Sequence, residues 1–135
     1  MRFMMIVKAN ADYEAGKPPN PELMAVVARH GEEQMKKGVL LMSGGLYPSS
    51  AGARIHVSDD TLNVTDGPFS ETKELIGGFA IMQCSSRAEA IEHGRVFMQL
   101  HRKVMGPTYK GQLEIRQMVE PGDDCGPSSG SATRL

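Results

Sequence analysis

Apolar residues fall on both alternating faces of Arg2 to Lys8, with Phe3, Met5 and Val7 on one side and Met4 and Ile6 on the other. That pattern predicts a strand covered on both faces. NADYEAGKPPNP then supplies turn residues, and Asn20-Pro21-Glu22 reads as a helix start, with Asn as N-cap, Pro at the first helical position and an acid in the first turn. Met24, Val27, Ala28, Gly31 and Met35 recur at helical spacing, Lys36 and Lys37 suit the negative end, and Gly38 is the stop, so a helix is predicted over 21 to 37. VLLMSGG gives a short strand ending in a double glycine, the mark of a bulge or of a backbone that something approaches closely.

Ala53 to Val57 and Thr61 to Thr65 alternate on either side of SDDT and predict a hairpin. Gly77 to Cys84 is a further strand, and Ser85 is the expected N-cap of a second helix whose stripe is Ala90, Ile91, Gly94, Phe97, Met98 and His101. Gly111 to Val119 alternates as a last strand. From Glu120 onward EPGDDCGPSSGSATRL has almost nothing to bury, which predicts one domain over 1–120 and a disordered tail over 121–135. The order β-α-β-β(β)-α-β is that of an α+β, ferredoxin-like split βαβ sandwich. Two helices cover one face of such a sheet, so the second apolar face calls for another subunit. The expectation is a homodimer built through the sheets, a dimeric α+β barrel with clefts along the seam.

Composition narrows the partners. At 135 residues the chain can bury a core without disulfide or metal staples. Fifteen Lys and Arg against 16 Asp and Glu leave no positive field for nucleic acid or an anionic membrane. No apolar run approaches the roughly 18 to 20 residues of a membrane span, and MRFMMIVKAN lacks the pattern of a signal peptide. A cytoplasmic location follows as the expectation, with Cys84 and Cys125 as free thiols.

The candidate chemistry concentrates in VTDGPFSETKELIGGF, Val64 to Phe79, where Asp66, Glu71, Lys73 and Glu74 exceed what a turn requires. Asp66 fits an Asx-type turn, and equally a carboxylate held at a cleft as general base or ligand acceptor beside Gly67 and Pro68. Phe69 suits the core or the dimer seam before a ligand pocket. Ser70 is placed to cap a helical turn; Glu71, Lys73 and Glu74 read as a solvated charged face or, since their alternation brings a lysine near a carboxylate, as a structural pair or a site. His30, on the edge of the first helix's stripe, is the best-placed imidazole for acid–base work, and Arg54 shares a hairpin face with His56 that would favour an anionic ligand at a cleft. No pair among His30, His56, His93 and His101 has metal-motif spacing, and the chain has no nucleophile elbow and no phosphate loop. No metal and no cofactor are predicted.

The same run resembles the signature of the YCII-related, DGPF-domain family, DGPF-x-E-T-K-E followed by a Gly-Gly-aromatic strand. MRFMMIVKA, GVLLMSGGLYPSSAGARIHV and LEIRQ are also similar to that family, extending the resemblance over roughly residues 1 to 120. It implies a dimeric ferredoxin-like α+β barrel of uncharacterised role, often encoded beside extracytoplasmic-function sigma factors. The His-Asp pair suggested for the wider superfamily would fall at about Val26 and Lys36, so that pair is absent here. Two functions follow as expectations. One is a regulatory homodimer binding a small polar molecule, with Asp66, Gly67, Pro68, Phe69, Glu71, Lys73, Glu74 and Arg54 at the cleft. The other is a small enzyme doing proton-transfer chemistry on a polar substrate, with Asp66 as base and His30, Lys73 or Arg54 assisting.

Overall fold

The computed structural model describes residues 1–123. Its elements are β1 (Arg2–Lys8), α1 (Ala11–Glu14), α2 (Pro21–Lys36), β2 (Leu40–Gly45), β3 (Ala53–Ser58), β4 (Thr61–Asp66), β5 (Ile76–Gln83), α3 (Arg87–Met105) and β6 (Leu113–Gln117). Four strands pair antiparallel in the order β2-β5-β1-β6, and β3 and β4 form a separate ribbon. The architecture is α+β. Cys125 and most of the predicted tail lie outside the described residues.

Local chemistry explains the helix ends. The Asn20 side-chain oxygen accepts the Glu22 and Leu23 N–H groups at 2.8 and 3.2 Å, and Gly38 takes the left-handed φ of 74° just past α2. Two expectations are corrected. α3 is capped by Ser86, whose Oγ accepts the Glu89 N–H at 3.1 Å, while Ser85 donates its N–H and hydroxyl to the Glu89 carboxylate. The stretch read as a plain turn contains α1, because the Asn10 side chain accepts the Tyr13 N–H at 2.8 Å.

Strand register sorts the side chains. Phe3, Met5 and Val7 of β1 stand opposite Met82, Ala80 and Gly78 of β5 and opposite Gln117, Ile115 and Leu113 of β6. This side faces the helices and holds the buried cluster of Phe3, Met5, Met82, Cys84 and Ala90, with Leu40, Leu113 and Ile115 packed against it. α3 approaches β6 closely because Gly94 lacks a side chain: a Cβ there would come within 2.7 Å of Ile115 Cδ1. The opposite side carries Met4, Ile6, Met42, Phe79 and Ile81, and among the described residues neither α2 nor α3 lies over it.

The α2 stripe also differs from the sequence pattern. Met24 and Met35 are 53% and 56% exposed, whereas Gln34 is buried and His30 half-buried. The inward positions are Leu23, Val27, His30 and Gln34, spaced by four, three and four residues. The β3–β4 hairpin projects with Ile55, Val57, Leu62 and Val64 all more than 60% exposed, and cross-strand pairing puts Ile55 beside Val64 and Val57 beside Leu62 on one face.

Candidate functional site

The helix-facing side of β2 and β5 is made of small residues. Ser43 pairs with Ala80 and Gly45 with Gly78, so beneath α2 the sheet offers no side chain larger than serine at four neighbouring positions. α2 cannot sink onto this floor, because its Cβ atoms and the larger side chains of β1 and α3 hold the layers apart. A cavity of about 350 Å³ results. Its walls are Met5, Val7, Leu23, Val27, Leu40, Met82 and Phe97, together with the glycine backbones. A Cβ on Gly45 would meet nothing within 4 Å. The double glycines at 44–45 and 77–78 thus mark the floor of a cavity.

Besides Ser43 on the floor, four polar side chains reach this apolar space: His30, Gln34, His93 and His101. Gln34 is only 9% exposed, and its amide makes no hydrogen bond among the described residues. His101 is 8% exposed, with Nδ1 2.9 Å from the Phe97 carbonyl oxygen. A carbonyl only accepts, so Nδ1 carries a proton, and in the matching neutral tautomer Nε2 offers a lone pair. Burial pushes the His30 pKa down, with a smaller opposing pull from Glu33 and small further lowering from His93 and Lys37. None of the residues lining the cavity is Asp, Glu, Lys or Arg.

The DGPF loop is built differently. β4 ends at Asp66, the Gly67–Pro68 bond is cis, and the Gly67 N–H bonds the Gly52 carbonyl at 2.9 Å. The hub is Ser49. Its Oγ accepts the Phe69 N–H at 3.0 Å and donates to Glu14 Oε2 at 2.5 Å, while its N–H donates to Glu14 Oε1 at 2.8 Å. Gly67 lies so close that a Cβ there would run into the Ser49 carbonyl. The Arg54 guanidinium stacks 3.8 Å from the centre of the Phe69 ring.

The predicted site residues therefore divide. Gly67, Phe69 and Arg54 come together around Ser49 and Glu14. His30 lines the cavity, and none of residues 66–74 does. Asp66 is exposed and its carboxylate makes no hydrogen bond among the described residues, so the Asx-type turn is not formed. Glu71, Lys73 and Glu74 are exposed too, and Lys73 has no carboxylate within 4 Å among the described residues, as on a solvated face and not in a pair. Thr72–Glu74 forms a 3₁₀ turn that Ser70 does not cap. Arg54 is occupied by Phe69, and His56 is exposed on the hairpin. Apolar periodicity passed over Gln34, and Glu14 reaches Ser49 across 35 residues with no local signal.

An α+β domain with a solvent-open cavity between its layers and a clamped Gly-Pro loop beside them is the class that the geometry defines. The sequence over residues 1–96 matches the YCII-related domain, and the chain belongs to that family. An uncharacterised protein of Rhizobium meliloti (strain 1021) is 42% identical over 80 residues, a match covering 58% of this chain and 60% of that protein's length.

Two outcomes test the site as described. Ser49→Ala removes the acceptor of the Phe69 N–H and one bond to Glu14, and should cost about 1 to 3 kcal/mol in urea unfolding. Gly67→Ala should cost more, whereas Asp66→Asn should stay within about 0.5 kcal/mol. Because burial lowers the His30 pKa, the unfolded chain takes up a proton at a pH where the folded one resists it. Stability contributed by the neutral ring should be intact above about pH 6.5 and fall as pH drops through the folded pKa. His30→Leu should remove that part of the slope in unfolding curves taken between pH 8 and 5.

Proposed function

We propose that the protein binds a compact, uncharged and largely apolar small molecule in the cavity between its sheet and helices, and that it does so as a homodimer. The observation that carries this reading is the cavity itself: about 350 Å³, without a charged side chain, yet holding the unpartnered amide of Gln34 and the imidazoles of His30 and His101. Pockets of this size suit small ligands, and a few polar groups on an apolar wall fix orientation. The lone pair of His101 Nε2 suits a ligand hydroxyl or N–H, and the Gln34 amide supplies both donor and acceptor.

The dimer reading rests on two uncovered surfaces. The sheet face with Met4, Ile6, Phe79 and Ile81, and the hairpin face with Ile55, Val57, Leu62 and Val64, are apolar and contiguous within themselves. A second copy is the occupant that matches both at once, since a two-fold interface lets each hairpin cover the other sheet. The ferredoxin-like subunit over 1–120, the closed α+β barrel, a cytoplasmic location and a regulatory role beside an extracytoplasmic-function sigma factor complete this proposal. Among the described residues no helix is long and apolar enough to cross a membrane. A small enzyme is the second reading, favoured by three imidazoles at one cavity. The pairing of Asp66 with His30 is not assembled within one subunit.

The test is a thermal-shift screen with neutral aromatic and alicyclic compounds against the wild type, Gly45→Val and Asp66→Asn. Valine at 45 points into open space and suits a strand, so the variant should melt at or above the wild type and lose the ligand-dependent shift. A shift that survives Gly45→Val and disappears in Asp66→Asn would move the site to the loop. For the dimer, Val57→Asp should halve the mass measured by light scattering, and an unchanged mass would remove the hairpin from the interface.

A further inference from the structure

Where β5 meets α3, three side chains of different chemistry converge. Cys84 Sγ, a Glu89 carboxylate oxygen and a His93 ring nitrogen all lie within 4.8 Å of one another. Cys84 follows the last residue of β5 and is 2% exposed, with its N–H bonded to the Met1 carbonyl at 2.9 Å. Glu89 and His93 are one helical turn apart on α3, and His93 Nε2 sits 3.6 Å from Glu89 Oε1. The other Glu89 oxygen is held by the Ser85 N–H at 3.0 Å and by the Ser85 hydroxyl, which fixes the carboxylate and leaves Oε1 toward the histidine.

We propose that Cys84, Glu89 and His93 form a binding site for a zinc-class divalent cation. Thiolate, imidazole and carboxylate are the donors that zinc takes, and a sulfur donor argues against calcium or magnesium. With Zn–S near 2.3 Å and Zn–N near 2.0 Å, the edges of a tetrahedral site are about 3.3 to 3.7 Å. The His93–Glu89 edge already has that length, so completing the set takes a closure of roughly 1 Å by Cys84. Glu89 and His93 keep 39% and 26% of their side chains exposed, which gives an ion a way in. Three protein donors leave a fourth position open to water or another ligand. The spacing, five residues from Cys84 to Glu89 and four from there to His93, belongs to no common metal motif, and half of it is created by the strand–helix junction.

The reading stands apart from ligand binding and is tested with the metal alone. The reduced, chelator-stripped full chain is titrated with Co²⁺, following the thiolate-to-cobalt charge-transfer band and the visible d–d bands, with Zn²⁺ as competitor. One equivalent per chain should bind with both sets of bands, and Zn²⁺ should displace it. The charge-transfer band should vanish in Cys84→Ser and persist in Cys125→Ser and His56→Gln. His93→Gln and Glu89→Gln, checked by circular dichroism to be folded, should each weaken binding roughly tenfold or more. No charge-transfer band in the wild type, a band that follows Cys125, or unchanged affinity in folded His93→Gln would each overturn the assignment.

Discussion

Along the helix-facing side of the sheet, side-chain volume falls from the β6 edge to the β2 edge, and the helices answer it unequally. At one end Phe3, Met5, Leu113 and Ile115 rise against α3, which meets them with Ala90 and Gly94. Large sits against small there. At the other end Ser43, Gly45, Gly78 and Ala80 form a low floor, and α2 presents Val27, His30 and Gln34 above it. These reach too short a distance to fill the gap. Interiors are ordinarily close-packed, and a ligand seated in a gap of this size would supply the contacts that the two layers do not make across it. The mismatch in side-chain size therefore links the register of β1, β2 and β5 to the proposed binding activity.

The DGPF loop belongs to a different part of the same logic. Ser49, Glu14 and Gly67 hold it by backbone and hydroxyl contacts, and Arg54 closes over Phe69. Its exposed charges take no part in that hold, so they keep the loop hydrated while the glycine and serine determine its shape. The loop also connects the projecting hairpin to β5, which makes it the element that sets where the uncovered Ile55–Val64 face is presented.

Much of the fold was legible because its signals are local. Alternation marked β1, the hairpin and β6. The Asn20-Pro21 start and the Gly38 stop marked α2 to within a residue. α1 was hidden because its single turn rests on one side-chain cap inside a run rich in turn formers. The cavity was illegible because its floor joins residues 43–45 to 78–80, which only strand pairing brings together. Gln34 was missed because a polar residue facing inward breaks the apolar count that defines a stripe. The ionisable cluster at 66–74 drew attention by composition, yet the polar groups that the structure gathers at the cavity are the half-buried His30 and the buried Gln34 and His101, each isolated in the sequence.

The central claim is that the space between Val27, Gly45, Ala80 and Phe97 is open and accessible to a small apolar guest. Diffraction from crystals pressurised with xenon reads this directly, since xenon enters apolar cavities without needing a specific ligand. The account expects xenon density above Gly45 in the wild type and none in Gly45→Val. Absence of density in the wild type, with α2 settled onto the β2–β5 floor in van der Waals contact, would contradict it.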